Sequence, residues 1–91
     1  MSDAHARTLA DRAADADAFA AELEAHAQDP ERGPDYADAA RRWRDAAAHY
    51  REAARCREAG ADVLAAHHTD SGRRAEHDGA AMVAGRTTAR R

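Results

Sequence analysis

The fold is decided by residues 36–68, which read YADAARRWRDAAAHYREAARCREAGADVLAAHH. Apolar residues recur there at alternating steps of four and three, with one interruption at Arg57: Tyr36, Ala40, Trp43, Ala47, Tyr50, Ala54, Ala61 and Leu64. That spacing places them in one stripe along a helix. The stretch contains no proline, and its single glycine, Gly60, costs a helix about 1 kcal/mol relative to alanine. We therefore expect one long helix over residues 35–68.

A second apolar stripe precedes this stretch and predicts a helix over residues 3–28, capped by Ser2. Its members repeat the same spacing: Leu9, Ala13, Ala16, Ala20, Leu23 and Ala27. Pro30, Gly33 and Pro34 then interrupt the pattern, because proline disfavours helical geometry in the residue before it. A loop this short implies that the two helices lie antiparallel.

The pattern weakens after residue 68. Residues 69–72 are typical of a loop, and we expect a short helix over about residues 72–84 and a flexible basic tail over residues 85–91. Gly79 weakens the case for that helix, since glycine is a poor helix former. The predicted fold class is all-α: an antiparallel helical hairpin with a shorter C-terminal helix, in a single domain over residues 3–84. We expect a four-helix bundle on self-association.

Folding the hairpin at its loop sets a register between the two long helices. It predicts that Leu23 lies against Trp43 and that Leu9 lies against Ala54. It also predicts that an acidic row on the first helix faces an arginine row on the second: Asp11, Asp15 and Glu22 opposite Arg41, Arg44, Arg51 and Arg55. Exposed ion pairs of this kind contribute about 0.2–1 kcal/mol each, so their expected role is to fix orientation.

The composition predicts a thin core. The chain has 28 alanines, three leucines, two valines and one phenylalanine, and no isoleucine. Alanine favours helix formation, but it is the burial of large apolar side chains that contributes about 1.5–3 kcal/mol each. The second helix also extends past the end of the first, so Val63 and Leu64 need another partner, either the C-terminal segment or a second chain. We therefore expect a homodimer or a helical protein partner.

Charge and cysteine content restrict the class of protein. The net charge of -3 at pH 7 disfavours nucleic-acid binding, which usually requires a basic surface. Cys56 is the single cysteine, which fits a reducing cytoplasm, and no apolar run has the length of a membrane span. Lysine, isoleucine and asparagine are absent, which indicates a GC-rich bacterial genome.

Six histidines raise the question of a metal site. His67, His68 and His77 are the candidates near the predicted C-terminal loop, but their spacing matches no familiar ligand pattern. His26 and His49 each follow an acidic residue at a spacing of four, which is typical of a solvated pair on one helix face. The sequence therefore predicts no metal, no cofactor and no catalytic residue. A metal-binding helical bundle is the first alternative.

One motif suggests RNA chemistry. Residues 44–49, Arg-Asp-Ala-Ala-Ala-His, resemble the Arg-x4–6-His motif of the HEPN ribonucleases, which are all-helical dimers. The resemblance covers six residues and would make Arg44 and His49 the RNA-cleaving pair in a dimer cleft. A small RNA-binding or RNA-cleaving helical dimer is therefore the second alternative.

The function that the sequence favours is a non-enzymatic helical protein–protein interaction or assembly module in the cytoplasm. Its predicted interaction stripe consists of Tyr36, Trp43, Tyr50, Val63 and Leu64. Binding would use the parts of this stripe that the hairpin leaves exposed.

Overall fold

The computed structural model of the chain describes residues 8–31 and 33–89, with side chains described up to residue 84. It contains three helices: α1 Leu9–His26, α2 Gly33–Glu58 and α3 Asp62–Ala89. The middle helix, α2, packs against both α1 and α3 and runs antiparallel to each. The predicted all-α class is confirmed, and over the described residues the architecture is a three-helix bundle without strands.

Helix α1 begins at Leu9, and residues 3–7 of the predicted helix lie outside the described residues. Thr8 is its N-cap. The Thr8 hydroxyl accepts a hydrogen bond from the Asp11 backbone N–H at 3.0 Å, and the Asp11 carboxylate accepts one from the Thr8 N–H. This reciprocal arrangement is a capping box, which fixes the start of a helix. The predicted cap at Ser2 lies outside the described residues.

The prediction of one helix over residues 35–68 is wrong, because α2 ends at Glu58. Gly60 has a φ of +81°, a left-handed conformation that glycine adopts without steric cost. The Ala61 N–H donates to the Cys56 carbonyl at 2.8 Å, and the Gly60 N–H donates to the next carbonyl along the chain at 3.1 Å. These two bonds define a Schellman motif, which terminates a helix.

Gly60→Ala is expected to lower the free energy of unfolding by about 1–2 kcal/mol, because a Cβ atom disfavours the left-handed conformation. No heavy atom lies within 4 Å of the position that this Cβ would occupy, so the effect comes from the backbone alone. Chemical denaturation followed by circular dichroism measures it. Gly60→Asn is the matched control and should lose less, since asparagine tolerates this conformation better. An alanine variant as stable as the wild type would contradict the assignment.

Helix α3 is the longest of the three, with 28 residues, whereas the sequence predicted a shorter C-terminal helix over about residues 72–84. The predicted loop at residues 69–72 is helical, and so are residues 85–89 of the predicted flexible tail. Residues 90 and 91 lie outside the described residues. The prediction of a loop was based on the run Thr69-Asp70-Ser71-Gly72, in which Gly72 has a packing role instead.

Gly72 and Gly79 allow α3 to approach α2 closely. A Cβ atom at Gly72 would lie 2.7 Å from Tyr50 Cε1, and one at Gly79 would lie 2.7 Å from Trp43 Nε1. The glycines are seven residues apart on α3, and the two aromatic residues are seven apart on α2. Each ring therefore packs directly on the backbone of α3, and this pairing fixes the register of the second hairpin.

The core consists of two clusters along α2. In the first core cluster, Leu9 of α1 packs with Tyr50, and Ala54 borders them. In the second core cluster, Leu23 packs with alanines of α2, and Trp43 borders them. The residues that the predicted register of α1 on α2 brings together thus fall in the same clusters. None of the described helices combines the length and the apolarity of a bilayer-crossing segment.

The predicted row of ion pairs is wrong in its acidic members, and two of its arginines, Arg41 and Arg55, pair with residues of α2 itself. Arg44 pairs with Glu24 at 2.7 Å and with Asp17 at 3.4 Å, and Arg51 also binds Asp17. The hydrogen bond from Arg44 lowers the pKa of the Glu24 carboxyl. Asp15, predicted to face these arginines, lies on the opposite flank of α1 beside α3. The third helix packs on the same side of the bundle as Asp15, and the hairpin prediction did not include it.

Candidate functional site

An apolar groove runs between α1 and α3, with α2 as its floor. It exists because both outer helices pack on α2 while they contact each other only weakly. Its volume is about 510 Å³, and all three helices contribute to its lining: Asp15, Ala16, Phe19, Trp43, Glu76, Ala80, Val83 and Ala84. Six of these side chains are apolar. A groove of this kind suits the apolar face of another helix.

Phe19 and Trp43 meet inside the groove. Their ring centroids are 4.7 Å apart and their planes are inclined by 75°, which is a favourable edge-to-face arrangement. Phe19 is 39% exposed and Trp43 is half-buried, so apolar ring surface stays open to solvent. The Trp43 indole N–H is buried and has no hydrogen-bond partner within the part of the chain that the structure describes. The two rings therefore contribute solvent-exposed apolar surface to the groove.

The structure divides the predicted interaction stripe. Val63 and Leu64, at the start of α3, are 83% and 53% exposed, and Trp43 contributes to the groove. Tyr36 is half-buried against the second core cluster. Tyr50 is fully buried in the chain's own core, so it offers no exposed surface to a partner in this structure. The exposed apolar surface thus falls into two separate places, the groove and the start of α3.

Tyr50 connects all three helices. Arg12 of α1 donates to the Tyr50 hydroxyl oxygen at 3.0 Å, and its guanidinium carbon lies 4.6 Å from the centroid of the ring. Glu76 of α3 approaches Arg12 to 3.9 Å. Burial and the negative charge of Glu76 raise the pKa of Tyr50 to about 12. The phenol is therefore neutral at physiological pH, and its role in this network is structural.

Arg44 and His49, the pair that the ribonuclease resemblance would make catalytic, do not converge within one chain. Arg44 is exposed and is held by acidic residues of α1. His49 is half-buried and faces α3, where its Nδ1 lies 3.2 Å from the Nδ1 of His68. Residues five apart on a helix are separated by about 140° around its axis. The two side chains therefore face different neighbours.

Four side chains that can bind metal ions converge where α2 meets the first turns of α3, and we call them the ligand cluster: His49, Glu52, Cys56 and His68. The ligand atoms of Glu52, Cys56 and His68 all lie within 4.8 Å of one another. His49 joins them through its contact with His68, in which the two rings also stack at a centroid distance of 5.4 Å. All four side chains are half-buried, so they are ordered by packing yet open to solvent ions.

The sequence prediction missed the ligand cluster because it placed Gly60 inside a helix. When Gly60 is a turn, residues at equal distances before and after it face each other, and position 52 comes opposite position 68. Of the three predicted metal candidates, His68 therefore reaches the cluster, while His67 and His77 are exposed elsewhere on α3. The available signal was the spacing of His49, Glu52 and Cys56 at steps of three and four, which puts three ligands on one helix face.

Comparison of the chain with protein-family models, with curated proteins and with solved structures finds no match. The fold and its surfaces define the class by themselves: a small three-helix bundle with an open apolar groove and a separate cluster of histidine, cysteine and glutamate side chains. A functional assignment therefore depends on the contacts, burial and charges of this chain.

Proposed function

We propose that the chain is a non-enzymatic helical interaction module that associates with a second copy of itself through the groove between α1 and α3. In such a dimer, α1 and α3 of the two copies face each other and form a four-helix bundle, with the α2 helices on its outside. The observation that carries this proposal is the open apolar groove with Phe19 and Trp43 at its centre. We also propose a reducing compartment, the cytoplasm, since the one cysteine is a free thiol.

The distribution of large apolar side chains supports a partner in the groove. Among the described residues, the buried apolar side chains are mostly alanines, with Leu9, Leu23 and Tyr50 as the large ones. Phe19 and Val83, by contrast, border the groove and keep part of their surface exposed. Covering them would add large apolar area to a bundle whose own core is thin, at about 25 cal/mol for each Å² removed from water.

The extent of exposed surface supports a second copy as the occupant. The chain exposes 6088 Å² and is elongated, with extents of 46 × 26 × 22 Å. A compact monomer of 9.8 kDa is expected to expose only about 5,200 Å². A standard interface buries about 800 Å² on each partner. An isologous dimer would cover such an area on both copies at once.

Two alanines on α3 provide a matched test of the groove. Ala80 lines the groove, whereas Ala81 does not, and both are exposed. Glutamate is a good helix former, so Ala80→Glu and Ala81→Glu should both fold. Sedimentation equilibrium over micromolar to submillimolar concentrations should find a dimer for the wild type and Ala81→Glu. It should find a monomer for Ala80→Glu, because the new carboxylate would be buried without a partner.

Three outcomes would count against the proposed interface. A wild type that is monomeric at every concentration would remove the second copy as the occupant. Equal dimerisation of both glutamate variants would place the interface elsewhere. Dimers that persist in Ala80→Glu but disappear in Val63→Ser would show that the interface lies at the exposed start of α3.

A further inference from the structure

We propose that the ligand cluster is a metal site, in which Glu52, Cys56, His68 and His49 bind one transition-metal ion, with Zn²⁺ as the ion that these ligands fit best. The site joins α2 to α3 close to the Gly60 turn and is separate from the groove. It is therefore independent of the proposed self-association.

The chemistry of the four ligands favours zinc. Zn²⁺ binds cysteine sulfur, histidine nitrogen and carboxylate oxygen, and it favours four ligands in a tetrahedron. The cluster offers one sulfur, one carboxylate and two imidazoles. Mg²⁺ and Ca²⁺ require oxygen ligands almost exclusively, so they fit this set poorly. A soft thiolate combined with imidazole is typical of zinc sites.

One pair of ligand atoms already has the separation that a bound tetrahedral ion sets, and three of the ligands lie near one another. Zinc–nitrogen bonds of about 2.0–2.1 Å and a zinc–sulfur bond of about 2.3 Å place neighbouring ligand atoms about 3.3–3.6 Å apart. The two Nδ1 atoms of His49 and His68 are already 3.2 Å apart. The ligand atoms of Glu52, Cys56 and His68 lie within 4.8 Å of one another. Closing the site therefore requires side-chain rotations that bring Glu52, Cys56 and His68 closer than their present 4.8 Å limit, with His49 following His68 as the fourth ligand.

A residue next to the ligand cluster fixes the position of one of the ligands. Arg55, one helical turn from Glu52, donates a hydrogen bond to its carboxylate. Arg55 occupies Oε1 and holds the carboxylate in place, as outer-shell partners of metal ligands do.

Metal binding breaks the S–H bond of Cys56 and the hydrogen bond between the two histidines, and it forms bonds from the ion to sulfur and nitrogen. The Cys56 thiol transfers its proton to solvent as the sulfur–metal bond forms, since the thiolate is the ligand. In the free protein, one of the two facing Nδ1 atoms of His49 and His68 donates to the other. When the ion binds, both rings present a lone pair to it and keep their single proton on the other nitrogen. One proton per chain is released, and one hydrogen bond gives way to two metal–nitrogen bonds.

The position of the site predicts what binding does to the fold. Three of the ligands lie on the last turns of α2 and the fourth lies on the second turn of α3. A bound ion would cross-link the two helices on either side of the Schellman turn. An ion that binds the folded chain and not the unfolded chain stabilises it by mass action. Zinc should therefore raise the melting temperature.

The test uses the full chain purified without a histidine tag and titrated with zinc chloride. Native mass spectrometry should find one zinc ion per chain, and thermal melting should shift upward with zinc concentration. Cobalt chloride should give the intense visible bands of a tetrahedral ion and a thiolate-to-cobalt charge-transfer band. His68→Gln should weaken zinc binding by at least about tenfold. Cys56→Ser should lose the charge-transfer band.

His77→Gln is the matched control, because His77 is an exposed histidine on the same helix and lies outside the cluster. It should bind zinc as the wild type does. A wild type that takes up no zinc in the native mass spectrum would overturn the site. So would equal affinity in His68→Gln and the wild type, or a cobalt spectrum without the thiolate band. Circular dichroism of each variant confirms its fold, and Cys56→Ala replaces Cys56→Ser if the serine variant unfolds.

Discussion

Tyr50→Ala is expected to lower the free energy of unfolding by about 3–5 kcal/mol, the usual loss for truncating a large buried aromatic side chain. Tyr50 is the largest fully buried side chain among the described residues, and its neighbours in the first core cluster are mainly alanines. Because alanines and glycines cannot move to fill the cavity, the loss should lie at the upper end of that range. Urea denaturation followed by far-ultraviolet circular dichroism measures it.

Tyr50→Phe separates the packing of the ring from its hydrogen bond. It keeps the ring and loses the bond that Arg12 donates to the hydroxyl oxygen at 3.0 Å, so it should cost only about 0.5–1.5 kcal/mol. If the phenylalanine variant were as unstable as the alanine variant, the polar network would be the cause and the packing argument would fail.

The same pair of proteins should differ in alkali. The pKa of Tyr50 is raised from 10.0 to about 12 by burial, by the negative charge of Glu76 and by its hydrogen bond with Glu76, with Arg12 opposing the shift. Above pH 10 the unfolded chain releases the phenolic proton while the folded chain retains it, so rising pH favours unfolding. The stabilisation is complete below pH 10 and is lost as pH rises through 12. In that window the wild type should lose more stability than Tyr50→Phe does.

The first hairpin was predictable because short-range signals determined it. Pro30 and Pro34 placed the loop between α1 and α2, and a short loop leaves one antiparallel register. With that register, the four-and-three pattern correctly placed Leu9 near Ala54 and Leu23 near Trp43. Hydrophobic periodicity and proline positions were sufficient for this part of the fold.

The second hairpin was not predicted because a glycine in a helical sequence can either end the helix or lie inside it. Gly60 was interpreted as a tolerated helix residue, whereas it ends α2 in a left-handed conformation. Gly72 was interpreted as a loop residue, whereas it lies within α3 and contacts an aromatic ring. The correct choice depends on the partner helix, which propensity alone does not include. The sequence signal for this packing is that Gly72 and Gly79 are seven residues apart, as are Trp43 and Tyr50.

Both candidate surfaces follow from the third helix, so neither could be predicted without it. The groove requires α3 on the flank of α2 opposite the one where Arg44 binds Glu24 and Asp17. The ligand cluster requires His68 to return to α2. Sequence reasoning identified Val63 and Leu64 as exposed and Trp43 as a stripe residue, but it could not say which face of Trp43 stays open.

Gly72→Val is expected to lower the free energy of unfolding by about 3 kcal/mol, the upper end of the usual cost of overpacking. Its Cβ atom would lie 2.7 Å from Cε1 and 2.9 Å from Cζ of Tyr50. The ring cannot move away, because it is fully buried and Arg12 binds its hydroxyl oxygen. Valine forms helices only slightly better than glycine, so propensity does not offset the clash. Denaturation of Ala81→Val and Ala81→Gly, at an exposed site on the same helix, gives the reference for propensity alone, since their difference is the glycine-to-valine change without the clash.

A double-mutant cycle with Tyr50→Leu identifies the clashing atoms. Leucine lacks the Cε1 and Cζ atoms that the new side chain would meet, so Gly72→Val should cost far less in the Tyr50→Leu background than in the wild type. The coupling between the two substitutions should reach about 1–3 kcal/mol, as for residues in direct contact. Additive effects would show that the ring is not what requires a glycine. A valine variant more stable than the wild type would show that α3 lies farther from α2 than in this structure. His68 would then no longer be expected to lie opposite Glu52.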